Sequence, residues 1–359
     1  MKLGKFNIVI GGQAGSEAKG KLSGYLVERY HPDICFMTSS PNAGHTIVLD
    51  GNKYVSYHLP IGAIMSGDCP ILLGPASIIN PVTLLDEIAK LGIDPERIML
   101  DSRAAVVVPT HKATERTSGL EKIGSTLQGV GPCRMEKMSR IGNTITVLDR
   151  YIDGLLGTRL RIGDVTHRVN TALRNGATVL CETTQGFDLC LEHGIHPVYC
   201  TSKMINPAMA LAEAGVPVSL VGDIYGVIRP YPIRVNNRTG TSGPYAGARE
   251  ITWEEIGKRC GCPHKLEELT TTTRLPRRVF EFSWPRFAAF IRTCAPTVLC
   301  LQFANYLDWS IYGKTGDSGE ITEPVWNFIR QLEGTGGNVR VEYVGTGPEQ
   351  KHMINVNGL

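Results

Sequence analysis

The stretch Asn7-Ile8-Val9-Ile10-Gly11-Gly12-Gln13-Ala14-Gly15-Ser16-Glu17-Ala18-Lys19-Gly20-Lys21 decides the fold of this 359-residue chain. Asn7 to Ile10 predicts a strand, and Lys21 to Tyr30, with Leu22, Leu26 and Tyr30 spaced four apart, predicts a helix. Strand, glycine loop and helix in this order make an anion site, because glycines admit backbone N–H groups to a phosphate and the helix N-terminus adds positive potential. Gly15 to Lys21 fits G-x-x-x-x-G-K, but Leu22 stands where a Walker loop has the Ser or Thr that holds Mg²⁺. Metal oxygens must then come from elsewhere. The competing reading is a structural glycine turn with solvated lysines.

Working outward, apolar runs recur at Ile34 to Met37, Ile71 to Leu73, Ala105 to Val108, Val179 to Cys181, Val218 to Val221 and Val298 to Leu301. Helix-like stretches separate them, including an Ala-rich one from Ile205 to Gly215 entered through Asn206-Pro207. The alternation predicts an α/β fold with a largely parallel central sheet flanked by helices. No repeat or linker interrupts the chain, so residues 1–359 read as one domain with polar, site-covering loops inserted at 234–247 and 261–278.

Composition excludes several classes. The net charge is only +3, from 37 Lys+Arg against 34 Asp+Glu, which argues against a nucleic-acid partner. No apolar run approaches the ~18 residues of a membrane span and the N-terminus has no signal-peptide pattern, so a cytoplasmic protein is expected. Ten scattered cysteines with no C-x-x-C pair predict buried reduced thiols. Cys260-Gly261-Cys262-Pro263-His264 is the nearest approach to a zinc motif and lacks a fourth ligand nearby.

A second loop, Ser39-Ser40-Pro41-Asn42-Ala43-Gly44-His45-Thr46, carries a histidine beside a glycine. Histidine titrates near neutrality and can act as an acid toward a developing oxyanion, although a lone loop histidine is commonly bland.

In combination, Gly-Gln-x-Gly-x-Glu-x-Lys-Gly-Lys followed by Asn-Ala-Gly-His-Thr resembles the adenylosuccinate synthetase family. Matching pieces follow in the family's order: Gly124-Ser125-Thr126, Gly129 to Pro132, Lys137, Arg140, Glu182 to Gly186, His193-Gly194, Pro197 and Thr201-Ser202. The Thr270 to Arg274 loop, Arg277-Arg278 and Gly345-Thr346-Gly347-Pro348 complete the set. The resemblance implies an adenylosuccinate synthetase-like fold with a P-loop-like phosphate loop. It also implies a homodimer and a carbon–nitrogen ligase that phosphorylates the 6-oxygen of a purine nucleotide before aspartate displaces phosphate.

By that resemblance Ser16, Lys19, His45 and Gln185 are catalytic. The triphosphate donor falls to Gly15, Ser16, Glu17, Ala18, Lys19, Gly20, Lys21, Gly44, His45, Thr46, Asn305, Gly345, Gly347 and Pro348. The acceptor falls to Ser16, Ser40, Asn42, Ser125, Thr126, Arg140, Gln185 and Thr201, with Arg140 reaching across the dimer. Aspartate falls to Thr271, Thr272, Thr273, Arg274 and Arg278, since forked guanidinium donors suit its carboxylates. Mg²⁺ falls to Ser16 and Gly44.

Two departures redirect the substrates. The family has Asp where this chain has Ser16; a short hydroxyl makes room for the 2-amino group of guanine and accepts from it, which points to dGMP as acceptor. Serine here resembles the viral branch, the 2-aminoadenylosuccinate synthetases, and would set the reaction in a host cytoplasm. Serine is also a poor base, so an ordinary enzyme acting on IMP and a non-catalytic nucleotide binder stay open. The family reads its donor guanine with Lys-x-Asp, whereas this chain has Phe303-Ala304-Asn305. An amide both donates and accepts, matching adenine, so ATP or dATP is the expected donor. Phe303 either stacks on that base or belongs to the core.

Overall fold

The computed structural model describes residues 1–141, 144, 159–236, 241–270, 275–337 and 339–357. Strand Phe6–Gly11, buried at every position, lies at the middle of an 11-stranded sheet. Its neighbours are the parallel strands Val179–Gly186 and Val221–Ile228. Outward on one side follow Ile34–Met37, Ile71–Leu73, Ile98–Asp101 and Arg161–Gly163. On the other follow Val298–Leu301, Arg340–Gly345, Met353–Asn355 and Gly316–Asp317. Arg340–Gly345 and Met353–Asn355 pair antiparallel; the other pairings in the sheet are parallel. The central strand feeds two cores by alternation. Phe6, Ile8 and Ile10 pack into one, while Val9 packs into the other with Leu22 and Leu26. Burying each such leucine contributes roughly 1.5–3 kcal/mol.

Local sequence explains where elements start and stop. The first helix, Lys19–Tyr30, begins earlier than its apolar spacing predicts, directly at the glycine loop. Asn206 caps helix Pro207–Ala214 by accepting from the Met209 N–H at 2.7 Å, and Gly215 ends it at φ 68°. Val218 to Val221 is not the expected strand. After Pro217, Val218–Leu220 forms a 3₁₀ turn and the strand runs from Val221 to Ile228. Ala105 to Val108 shortens to Ala105–Val106 and pairs with Ile78–Ile79 outside the main sheet, because Pro109 opens helix Pro109–Thr117.

The two inserted segments are anchored by β-structure. Ile233–Val235 and Glu250–Ile251 pair antiparallel with Arg277–Phe280 in a 3-stranded sheet. All ten cysteines are free; Cys200 and Cys262 are half-buried and the other eight are buried. Among the described residues no three His, Cys, Asp or Glu side chains gather as metal ligands, and no helix is long and apolar enough to cross a membrane.

Candidate active site

A cavity of about 1160 Å³ opens where the central strands end. This is where open α/β sheets bind ligands. Gly15 to Lys21, Asn42 to Thr46, Ser125, Thr126, Gln185, Thr201, Asn305, Gly347 and Pro348 all line it. Residues separated by most of the chain thus share one wall.

The phosphate loop is wrapped around a buried carboxylate. Glu17 is fully buried; its Oε1 accepts from the N–H groups of Gln13 at 3.1 Å and Gly15 at 2.8 Å, and its Oε2 pairs with Lys19 Nζ at 2.8 Å. On either side of Glu17 the backbone is left-handed at Gly15, Ser16 and Ala18, with φ of 89°, 60° and 64°. The loop leaves no room behind it: a Cβ on Gly186 would lie 2.2 Å from the Gln13 carbonyl oxygen. Glu17, read from the sequence as a donor contact, therefore shapes the loop from inside.

Lys21 is likewise held from behind, donating to the carbonyls of Gly347 and His352, both at 2.7 Å. Burial pushes its pKa down to about 7, against the pull of Glu349. This bond ties the phosphate loop to the segment Gly345 to Pro348. Gly345 sits under the wall rather than on it, where a Cβ would meet Gln302 at 2.0 Å and Lys21 Nζ at 3.1 Å.

His45 is buried and donates from Nδ1 to Glu182, itself buried on the strand beside Phe6–Gly11. The carboxylate fixes the tautomer and leaves Nε2 for the cavity. Glu182 appeared in the sequence only as part of a motif; a histidine 137 residues away gives it its role. Ser40 is buried behind the wall with its hydroxyl donating to Asn42 Oδ1 at 2.7 Å.

The Ser125 turn is also pre-engaged. Glu115 accepts from the Ser125 hydroxyl at 2.5 Å and from the Gly129 N–H. The Ser125 hydroxyl is thus held by Glu115, while no described residue engages the Thr126 hydroxyl; both residues line the cavity. Arg140 lies exposed at the end of helix Val130–Ser139, outside this chain's own cavity.

Thr271 to Arg274 lie outside the described residues. Arg278 does not line the cavity: it pairs with Glu250 and donates to the Gly243 carbonyl at 2.8 Å. Its guanidinium is turned instead toward the segment from Thr241 to Glu250. Arg277 is the cavity residue, pairing with Glu268 at 2.7 Å.

Asn305, expected from the sequence to meet the donor base, is buried, and no described residue engages its amide. Phe303, Tyr306, Trp309 and Tyr312 surround it on the cavity wall. Phe303 stacks on Tyr306 with centroids 5.5 Å apart, and the Arg229 guanidinium sits 4.1 Å from its ring centre.

The family model for adenylosuccinate synthetase matches residues 8–161 and 146–310. The chain is 31% identical over 381 residues to N6-succino-2-amino-2'-deoxyadenylate synthase of Acinetobacter phage SH-Ab 15497, covering 97% of this chain and 93% of that relative. Adenylosuccinate synthetase of Thermococcus onnurineus is 32% identical, with 97% of each chain covered. The solved succinoaminodeoxyadenylate synthetase of cyanophage S-2L, bound to dGMP and dATP, superposes with a TM-score of 0.83 at 31% identity. The superposition covers 99% of this chain and 96% of that one. The chain belongs to the adenylosuccinate synthetase family and is a ligase that joins a purine nucleotide to L-aspartate.

Proposed function

We propose that this ligase condenses dGMP with L-aspartate, driven by ATP or dATP, to give N6-succino-2-amino-2'-deoxyadenylate. Its product would feed formation of a diaminopurine deoxynucleotide. One juxtaposition carries the reading: a serine at the reaction loop and a free asparagine amide on the donor wall border the same cavity. Ser16 supports a purine with a 2-amino group at the acceptor site, and Asn305 supports adenine at the donor site. The phage relatives named for this synthesis, and the one bound to dGMP and dATP, support the same pairing.

In the proposed reaction N1 of dGMP gives up its proton as the γ-phosphoryl group passes to O6, leaving (d)ADP. The aspartate amine then forms the C6–N bond as the C6–O bond breaks and phosphate departs. Lys19 stabilises charge on the transferred group, and His45 Nε2 faces the 6-oxygen, backed by Glu182. Gln185, Thr126 and Thr201 hold the acceptor. Thr271, Thr272, Thr273 and Arg274 receive the aspartate carboxylates, with Arg277 taking the place expected of Arg278.

Ser16 and Gly44 line the cavity, and a serine hydroxyl and a backbone carbonyl are the kind of oxygen donors that suit a Mg²⁺ ion completed by phosphates and water. Bound there, Mg²⁺ would neutralise phosphate charge.

The homodimer is supported by an exposed apolar row on and just after the helix that ends before Arg140. Met135, Met138 and Ile141 are 70%, 77% and 81% exposed at three-residue spacing. A second copy covering this row would bring Arg140 toward its partner's acceptor site.

Aspartate-dependent phosphate release tests the reading. Turnover with dGMP plus ATP or dATP supports it. Turnover with IMP plus GTP alone restores the ordinary synthetase, and binding without release points to the non-catalytic alternative.

A further inference from the structure

Arg229 follows directly on strand Val221–Ile228, the neighbour of the central strand, and is fully buried. Its main chain is clamped by Gln13, whose Nε2 donates to the Arg229 carbonyl at 3.0 Å and whose Oε1 accepts from its N–H at 2.9 Å. Its guanidinium reaches three segments of the cavity wall. Nη1 donates to the Ser16 carbonyl at 3.2 Å; Nη1 and Nη2 fork onto Glu268 at 3.1 and 2.5 Å; and the plane lies 4.1 Å from the centre of the Phe303 ring.

Glu268 gathers two more cavity residues, Arg277 at 2.7 Å and the Tyr306 hydroxyl at 3.0 Å. It stands three residues before Thr271 and holds the root of the threonine-rich loop; Leu269 bridges to Pro276 across that loop. Phe303 occupies the left-handed region at φ 59°, a conformation that persists only when neighbours fix it. Arg229 covers one face of its ring and Tyr306 stacks beside it. One guanidinium thus joins the reaction loop, the donor-base turn and the root of the aspartate loop.

We propose that Arg229, through Glu268 and Phe303, is a positioning residue that sets the donor-base turn and the start of strand Arg277–Phe280 in register with Ser16, so that donor and aspartate recognition stand or fall together. This rests on the assignment of those two segments to donor and aspartate. A planar fork is required, because Lys at this position keeps the charge but loses both the bidentate bond and the ring stack.

The test uses the full-length enzyme with R229K, E268Q and Y306F. Donor affinity is measured by equilibrium dialysis with a non-hydrolysable β,γ-imido adenosine triphosphate, a readout independent of the acceptor's identity. R229K and E268Q should each weaken it by about tenfold and raise the aspartate KM by about tenfold, with the acceptor KM within about twofold in E268Q, which leaves the Arg229 bond to Ser16 in place. Y306F, which removes one hydroxyl, should show the same pattern more weakly and so decides the matter if R229K does not fold. Unchanged donor affinity in E268Q and Y306F overturns the proposal, as does an equal rise in all three constants, the mark of general loosening. Absent turnover of dGMP by the native enzyme would instead refute the acceptor assignment and leave the dialysis result standing.

Discussion

Lys21 offers a prediction whose size follows from its surroundings. Its ammonium is buried against two carbonyls, with a pKa near 7 in place of the usual 10.5. Between those values the unfolded chain carries a proton that the folded chain has shed, so stability should rise with pH across that window. At its ceiling the shift corresponds to a cost on the order of 5 kcal/mol at neutral pH. Lys21→Met removes that cost but strands two carbonyl acceptors, at roughly 1–3 kcal/mol each. The two nearly cancel, so the variant should fold within about 2 kcal/mol of the native protein. Its donor affinity should not survive. A charge-assisted bond to phosphate contributes roughly 1.5–3 kcal/mol, so the Kd for ATP should rise about 10- to 150-fold. At pH 8.5 only about 3% of a lysine with pKa 7 is protonated. Phosphate restores the charged form, and donor binding should then take up nearly one proton. Titration calorimetry in buffers of different ionisation enthalpy reads this directly. No proton uptake by the native enzyme, or equal uptake by Lys21→Met, would refute the reasoning.

Glu182→Gln should leave the His45 tautomer in place but replace a charge-assisted bond with a neutral one, lowering kcat about tenfold with nucleotide KM values little changed, as steady-state kinetics would show. Asn305→Asp should move donor preference from adenine toward guanine triphosphates by about 100-fold in the ratio of kcat/KM, because a carboxylate accepts only. Met138→Glu places a charge in the exposed apolar row and should turn a dimer into a monomer in sedimentation velocity, with activity lost in parallel.

The phosphate loop and the His45 loop were legible because each is a continuous stretch whose geometry is local. Even there, the sequence offers Glu17 only as a ligand contact and does not show that it is also the post around which the loop is wound. Partnerships left no local mark: His45 with Glu182 and Arg229 with Glu268 join segments 137 and 39 residues apart, and Ser125 with Glu115 ties a turn to helix Pro109–Thr117. The choice between Arg277 and Arg278 shows why. Both have the chemistry to hold a carboxylate, and only the partners brought near by folding separate them: Arg278 is drawn to Glu250 and Gly243, while Arg277 stays on the cavity wall beside Glu268. Val218 to Val221 failed differently, since Pro217 displaced the start of a strand that the apolar run itself promised.

The central claim is that Ser16 and Asn305 together exchange the bases of the two nucleotide sites. Competition tests it most directly: the enzyme is given equimolar dGMP and IMP with equimolar ATP and GTP, Mg²⁺ and aspartate, and the succinylated product is identified by mass. The account predicts N6-succino-2-amino-2'-deoxyadenylate with ADP as the coproduct. Adenylosuccinate with GDP as the products would contradict it.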